Sequence, residues 1–249
     1  MKKLDLRSYH TVIPYITEDP CGTVYPLSVA QMYQHGDIYT DGDSVLIWHQ
    51  CGFAYIFGHP DHSFFDEIHD IMCADDLPRR FILFTADPDT ERYFHGKQGI
   101  VTGQRYGYRY PSDISAPSFP LPDGYEIHEI DRDCIDRMQG RITPYFSWRE
   151  PSEFLAKGKG FYVTYEDIPA AWAFSAAVAD DEIDIGIETH TDHRHKGLAL
   201  AAASHMIRYC MDMHKRPVWA CDAANGASQA LAEKLGFVRT GTYTTIRRC

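Results

Sequence analysis

The C-terminal half of the chain carries an ordered series of strand and helix patterns, and this order most narrows the folds available to it. Three strand-like runs, at 161–166, 170–179 and 182–189, are separated only by short turns. An alanine-rich helical run (198–213), a strand (217–223), a helix (228–236) and a strand (237–248) follow. An antiparallel meander that leads into a strand–helix–strand crossover predicts an α/β (α+β) fold, with a mixed, mostly antiparallel sheet and flanking helices.

A proline-rich stretch separates this half from the residues before it. Residues 110–124 contain four prolines together with several Ser, Asp and Gly residues, a composition typical of a loop. We therefore predict an α/β N-terminal domain over 1–110, a linker over 111–124 and a second domain over 125–249. In the first domain, a hairpin (44–50 and 53–58), a helix (63–72), a strand (80–86) and a short helix (87–96) are expected, but no motif indicates a function.

Charge and composition exclude several classes of function. The formal net charge of −11 argues against nucleic-acid binding, which needs a basic face to neutralise phosphates. The seven cysteines form no C-x-x-C pair, a pattern that indicates thiols in a reducing compartment. No stretch approaches the roughly 20 apolar residues of a membrane span. We expect a cytoplasmic protein without nucleic-acid or membrane partners; the sequence does not indicate its oligomeric state.

The turn before the alanine-rich helix has the properties of a phosphate site. Arg194 and Lys196 supply positive charge, Gly197 allows close approach to the backbone, and a helix N-terminus presents unpaired N–H groups. Neither G-x-x-x-x-G-K-[ST] nor the three-glycine dinucleotide fingerprint is present. His190, His193 and His195 have a spacing that could hold zinc, but no thiol or carboxylate completes a site, so we predict no metal.

Two motifs in this half resemble those of a known family. "RHKGLA" (194–199) matches the R/Q-x-x-G-x-G/A motif of the GNAT superfamily of acyl-CoA-dependent N-acetyltransferases. "NGASQALAEKLGF" (225–237) resembles the N-x-x-S…K-L-G-F signature that closes the family's fold. The resemblance covers roughly 125–249 and is strongest to the zwittermicin-A-resistance-like branch, in which a divergent N-terminal half commonly precedes the catalytic half.

This resemblance implies a reaction and a set of binding residues. Acetyl-CoA would be the acyl donor, without a metal, and its acetyl group would pass directly to the amine of a small-molecule acceptor in a ternary complex. The strand at 187–189 would pair with the pantetheine arm, and the amides of 194–200 would hold the pyrophosphate. The cofactor-binding residues that it implies are Ile187, Thr189, Arg194, His195, Lys196, Gly197, Leu198, Ala199, Asn225 and Ser228.

The transfer reaction also requires a base for the acceptor ammonium and an acid for the departing thiolate. We expect Glu188 as the base, because it ends the strand beside the expected thioester; Glu182 and Asp184 are the alternatives. Strand alternation puts these three carboxylates on one face. Glu182 and Trp148 are the residues that we expect beside the acceptor.

The acid is harder to identify, because Ala232 stands where many members of the family have a tyrosine. Ser228, Tyr209 or water could take its place. The missing tyrosine also leaves open a non-catalytic CoA-binding or sensor protein with the same fold, and a third possibility is an interaction module in which 1–110 is the working part.

Overall fold

The computed structural model describes residues 1–16, 19 and 21–249, which form two compact units. Unit 1 comprises Met1–Gly107, Ala220–Ala224 and Thr240–Cys249, and unit 2 comprises Tyr108–Trp219 and Asn225–Arg239. The division at Gly107–Tyr108 lies close to the predicted limit at residue 110. The units are not consecutive segments, however, because the end of the chain returns to unit 1. Residues 111–124 belong to unit 2.

Unit 1 has a mixed sheet with short helices. Within the unit the strands run in the order β1-β2-β3-β4-β5-β12-β6, and β4 and β5 are parallel. The hairpin that we predicted is formed by β3 and β4. The helices are α1 (Val24–Ala30), α2 (His62–Cys73) and α3 (Pro88–Phe94), with a 3₁₀ segment at Leu6–Tyr15. The strands are β1 (Lys2–Lys3), β2 (Gly36–Asp41), β3 (Ser44–His49), β4 (Phe53–Phe57), β5 (Ile82–Thr85), β6 (Ile100–Arg109) and β12 (Val238–Arg248).

Unit 2 contains the predicted meander and crossover. Its strands run in the order β11-β10-β9-β8-β7, with antiparallel pairing except between β10 and β11. The predicted mixed, mostly antiparallel sheet with flanking helices is thus confirmed. The strands are β7 (Tyr125–Glu129), β8 (Gly160–Tyr165), β9 (Ile168–Val178), β10 (Glu182–Thr189) and β11 (Arg216–Asp222). The helices are α4 (Arg132–Arg137), α5 (Pro151–Lys157), α6 (Leu198–Asp212) and α7 (Gly226–Leu235), with 3₁₀ turns at Pro144–Phe146 and Thr191–His193.

Helix α6 forms the core of unit 2 with the sheet. Its small side chains at 201–204 are buried, so the helix packs closely against β8, β9 and β10. Close packing of small residues places the helix backbone next to the sheet, which sets the position of the helix N-terminus beside the end of β10. The alanine-rich composition therefore positions the turn that precedes the helix.

Strand β12 lies between β5 and β6 in the sheet of unit 1. It pairs with β5 from Thr244 to Arg247, and Ile246 is fully buried in the core under α2 and α3. The other members of this core are Leu46, Trp48, Ala54, Phe64, Phe65, Ile68, Met72, Phe81, Leu83 and Phe94. The last strand of the chain therefore completes the core of the unit that contains the first residues.

Candidate functional site

Strand β10 is paired along its whole length on one side but only at its start on the other. Pairing with β9 extends from Ile183 to Thr189, whereas within the described part of the chain the parallel pairing with β11 covers only Glu182–Asp184. On the β9 side, the register shifts between Asp184, which lies opposite Ala177, and Ile185, which lies opposite Ser175. Because the pairing with β11 stops at Asp184, β10 and β11 separate beyond this residue, and the edge of β10 that faces β11 becomes open.

The register identifies the backbone groups on this open edge. The N–H of His190 donates to the carbonyl of Ala170 at 2.8 Å, which makes this a hydrogen-bonded antiparallel pair. Because such pairs alternate along a strand, the N–H and C=O groups of Ile187 and Thr189 point away from β9, toward the open edge. Both residues are half-buried. They can donate to and accept from an extended amide ligand laid along β10.

The turn after β10 ends in a helix N-terminus without a side-chain cap. His195 and Gly197 both have positive φ, at 63° and 80°, and Gly197 precedes the first helical residue, Leu198. The N–H groups of Leu198, Ala199 and Leu200 therefore lack both intrahelical acceptors and a cap. A Cβ built on Gly197 would meet no atom within 4 Å, so the space above the turn is open. This geometry suits an anion such as a pyrophosphate.

Two of the residues predicted to hold the pyrophosphate, Arg194 and Lys196, already make hydrogen bonds within the protein. Arg194 is exposed, but its N–H already donates to the carbonyl of Thr191 at 3.4 Å, inside the 3₁₀ turn. Its side chain is the part that can contact a ligand. The amine of Lys196 donates to the hydroxyl of Tyr125 on β7 at 2.8 Å.

Tyr125 also contacts a second residue of the turn. Its hydroxyl lies 2.9 Å from Nδ1 of His193. Partial burial and the neighbouring charge of Lys196 lower the pKa of His193, so the neutral imidazole is favoured there. Tyr125 therefore joins both ends of the turn to β7. The sequence does not indicate this role, since a tyrosine 68 residues before His193 carries no local signal of contact with it.

Glu188 is hydrogen-bonded to the loop before the 3₁₀ turn at Pro144–Phe146. Its Oε2 accepts a hydrogen bond from the N–H of Ile142 at 2.5 Å. The carbonyl of Ile142 in turn accepts from the indole Nε1 of Trp172 at 2.7 Å. A Cβ on Gly140 would lie 2.6 Å from the same carboxylate oxygen, so this loop passes closely over Glu188. The half-buried carboxylate keeps Oε1 for another partner, and Glu188 is the last but one residue of β10.

The start of α7 brings Asn225 and Ser228 together. Oδ1 of Asn225 caps the helix by accepting from the N–H of Ser228 at 3.1 Å. The Ser228 hydroxyl accepts from the indole Nε1 of Trp219 on β11 at 3.0 Å. Since the oxygen is the acceptor in this contact, the hydroxyl proton remains available for donation.

The structure gives the two expected acceptor residues other surroundings. Trp148 is only 2% exposed; its Nε1 donates to the carbonyl of Ser175 at 2.8 Å and its ring packs against Phe154. Glu182, 6% exposed, lies 3.4 Å from Arg216 and 3.7 Å from Arg109. It stands at the other end of β10, roughly 20 Å of strand from Glu188. These contacts assign Trp148 to the core and Glu182 to an ion-pair network, rather than to an acceptor pocket.

The structure also shows the surroundings of Ala232 and of Tyr209, one of the candidate acids. Ala232 is fully buried and has no proton to give. Tyr209 lies about 16 Å along α6 from Leu198, with its ring centroid 5.7 Å from the Lys159 amine, and burial raises the pKa of its hydroxyl. Among the described residues, no group of three or more His, Cys, Asp or Glu side chains is arranged to hold a metal ion, and no described helix is long and apolar enough to cross a membrane.

Comparison with known proteins gives consistent matches over almost the whole chain. A family model described as GNAT acetyltransferase matches residues 21–246. The Bacillus subtilis (strain 168) protein named as uncharacterized N-acetyltransferase YdfB is 25% identical over 257 residues, covering 98% of this chain and 97% of that protein. A GCN5-related N-acetyltransferase-like protein from Streptococcus suis 89/1591 has a TM-score of 0.74 at 21% identity, with 98% of this chain and 100% of that chain covered. A GCN5-related N-acetyltransferase from Kribbella flavida has a TM-score of 0.59 at 17% identity, with coverage of 91% and 96%. The predicted GNAT resemblance is confirmed, while the zwittermicin-A-resistance-like branch stays a prediction.

Proposed function

Because the chain belongs to the GNAT acetyltransferase family, we propose that it transfers an acetyl group from acetyl-CoA directly to the amine of a small-molecule acceptor. The observation that carries the proposal is the separation of β10 from β11 beside an uncapped helix N-terminus. The open edge offers the amides of Ile187 and Thr189 to a pantetheine arm. The turn 194–200 offers N–H groups and two cationic side chains to a pyrophosphate.

The chemistry needs little from the protein beyond position and proton transfer. Nitrogen attacks the thioester carbonyl, a C–N bond forms, and the C–S bond breaks to release a thiolate. An amide near Ile187 would stabilise the oxyanion that develops on the carbonyl oxygen. In this proposal Glu188, through Oε1 or a bound water, accepts the proton of the acceptor ammonium.

Ser228 is the best supported of the three candidates for the acid. Its oxygen is held by Trp219 while its proton stays available, and it starts the helix that follows β11. The ring of Tyr209 contacts Lys159, which precedes β8, the second strand from β10, and burial raises the pKa of the Tyr209 hydroxyl. Water is the remaining candidate. Asn225 supports the site indirectly, by capping α7 and fixing the position of Ser228.

Binding of the donor is tested first. A ligand that binds only the folded chain raises its stability by mass action. We expect acetyl-CoA and CoA each to raise the melting temperature, and ATP to do so much less because it has no pantetheine arm to pair with β10. The absence of a shift with either CoA species would reject the proposal. Turnover is then measured as release of free thiol with a panel of small amines.

Replacement of Glu188 separates its two contacts. Glu188→Gln keeps an oxygen that can accept from the N–H of Ile142 but removes the base, so we expect kcat to fall about 100-fold or more with an unchanged Kd for acetyl-CoA. Glu188→Ala also removes the loop contact and should raise the KM of the acceptor as well. A Glu188→Gln variant with the kcat of the wild type would remove Glu188 as the base.

A second candidate function is CoA binding without transfer. The observation that favours it is Ala232, whose buried methyl group stands where a proton donor is common in the family. Under this alternative CoA raises the melting temperature, yet no amine in the panel accelerates thiol release. The two experiments above therefore separate the enzyme from the binding protein.

A further inference from the structure

A buried tryptophan and Glu188 are joined through one residue of the loop that covers them. In the pairing of β9 with β10, Trp172 lies directly opposite Glu188, so the two side chains are neighbours on one face of the sheet. Trp172 is fully buried, and its indole Nε1 donates to the carbonyl of Ile142 at 2.7 Å. The N–H of Ile142 donates to Oε2 of Glu188 at 2.5 Å. Ile142 therefore ties the position of the carboxylate to that of the indole.

Gly140 allows this loop to lie against both side chains. It belongs to residues 138–143, which connect α4 to the 3₁₀ turn at Pro144–Phe146. A Cβ on Gly140 would lie 2.6 Å from Oε2 of Glu188 and 2.9 Å from Cζ2 of Trp172, both closer than a methyl group packs in proteins. The φ of Gly140 is not positive, so the glycine is required here for space and not for its backbone conformation.

The hydrogen bond from the loop has a chemical consequence for the Glu188 carboxylate. An N–H that donates to a carboxylate oxygen favours the ionised form, which is the form that accepts a proton. With Oε2 held by the loop, the side chain stays in one rotamer, and Oε1 is the oxygen that remains to receive the proton. A glutamate without this contact would rotate among several rotamers, of which few direct an oxygen to the reacting amine.

We propose that Trp172 and Gly140 are positioning residues of the transfer reaction, which together keep the carboxylate of Glu188 ionised and turned so that Oε1 faces the acceptor. The inference rests on the proposed function, in which Glu188 is the base. Trp172 acts through Ile142, because its buried indole is bonded to the loop. Gly140 acts by leaving room for the carboxylate beside the loop.

Trp172→Phe tests the hydrogen-bonded part of this arrangement. It keeps an aromatic ring in the core but removes the N–H that holds Ile142, so we expect kcat to fall about tenfold with an unchanged Kd for acetyl-CoA. The acid limb of the pH profile of kcat should move to higher pH, because the ionised carboxylate loses part of its stabilisation. Trp48→Phe is the matched control. It also removes a buried indole N–H that donates to a backbone carbonyl, that of Arg80 at 3.1 Å, and should keep the kcat and pH profile of the wild type.

Gly140→Ala tests the steric part, with Gly158→Ala as its control. A Cβ on Gly158 would lie 2.7 Å from the ring of Phe154 and 2.8 Å from Oγ of Ser175, a comparable clash with neighbours other than Glu188. Both substitutions should lower the melting temperature. Only Gly140→Ala should also lower kcat, by about tenfold or more, because the new methyl group displaces the base.

A double variant distinguishes positioning from general damage to the core. If Trp172 acts on the reaction through Glu188, Trp172→Phe should lower kcat no further in a chain that already carries Glu188→Gln. Losses that multiply in the double variant would show that Trp172 acts independently of the base.

Amide NMR of the full chain, labelled with nitrogen-15 isoleucine, gives a readout that needs no turnover. The amide signal of Ile142, identified by its loss in Ile142→Val, should shift as the pH is lowered and the carboxylate is protonated. This pH-dependent shift should be absent in Glu188→Gln and smaller in Trp172→Phe.

The outcomes separate this inference from the proposed function. Thiol release by the wild type that falls in Glu188→Gln supports the function by itself. Wild-type kcat and pH profile in both Trp172→Phe and Gly140→Ala would then overturn the inference alone, as would multiplying losses in the double variant or an Ile142 amide signal that does not respond to pH. A wild type without thiol release rejects the proposed function and the inference together. If Trp172→Phe fails to fold, Gly140→Ala and the NMR titration decide.

Discussion

Gly197 is the residue at which backbone strain and ligand access can be separated. Its φ of 80° is strained for any residue with a Cβ, but a Cβ there would meet nothing within 4 Å. We expect Gly197→Ala to lower the free energy of unfolding by about 1 kcal/mol and to weaken CoA binding more strongly, since the new methyl group stands above the turn. Urea unfolding and calorimetric titration measure the two effects.

Gly236 provides the control for this substitution. It has a φ of 100° and ends α7, where a Cβ would lie 3.3 Å from Ile114. Gly236→Ala should therefore cost stability while leaving the Kd for CoA unchanged. Equal losses of CoA affinity in the two variants would show that strain, and not access to the turn, explains the Gly197 effect.

His49 makes a second prediction at the residue scale, for acid stability. Burial, and then the charge of Arg79, lower the pKa of His49 to about 3, while the unfolded chain titrates near 6.5. Between these values the unfolded state binds more protons, so stability is lost as pH falls below about 6.5, by up to about 1.4 kcal/mol per pH unit. His49→Asn keeps an acceptor for the N–H of Cys51 and should show a flatter slope between pH 6 and 4, measured by urea unfolding. An unchanged slope would contradict this assignment.

At the scale of the elements, β7 and the turn before α6 are joined through one hydroxyl. Because Tyr125 bonds both His193 and Lys196, we expect Tyr125→Phe to weaken CoA binding about fivefold, the equivalent of about one lost hydrogen bond. Strand pairing is unaffected, so the melting temperature without ligand should change little. Tyr165→Phe is the control, since its ring packs on Tyr125 at 4.9 Å while the two hydrogen bonds to the turn come from the Tyr125 hydroxyl. Unchanged or tighter CoA binding in Tyr125→Phe would contradict the prediction.

The elements of unit 2 were predictable because each has a strong local signal. The strand at 182–189 and the helix that begins at Leu198 match the predicted positions, and the helix ends one residue earlier. Strands β2 and β6 and the seven-residue helix α1 were not predicted from the sequence. Strand β6 contains two glycines and polar residues on both faces, so it lacks the apolar alternation by which a strand is recognised.

Side-chain contacts between distant residues set a further limit on prediction. The residue types around the turn indicate a phosphate site, and the turn has the predicted form. The burial of Trp148 and the ion pairs of Glu182 depend on residues far along the chain, namely Ser175, Arg109 and Arg216. No local pattern encodes such contacts. A tryptophan next to a predicted loop therefore looked accessible although its indole is in the core.

At the scale of the whole molecule, the two units are not consecutive segments of the chain. Unit 1 takes one of its inner strands from the last residues of the chain. This strand, β12, lies between β5 and β6, and its Ile246 belongs to the buried core. Arg248 adds hydrogen bonds from the end of this strand to the carbonyls of Cys73 and Ala74. A linear division at residue 110 would remove all of these contacts from the N-terminal segment.

Because unit 1 combines segments from the start and the end of the chain, the folding of fragments can be predicted. The isolated segment 1–110 should not fold cooperatively, because β5 and β6 would each expose an unpaired edge and the core would lack Ile246. The same segment followed by a flexible glycine–serine linker and residues 238–249 should regain a cooperative thermal transition and a near-ultraviolet circular dichroism spectrum with fixed aromatic signals. A cooperative transition in 1–110 alone would show that the segment is an independent domain, and that β12 is only an addition to its sheet.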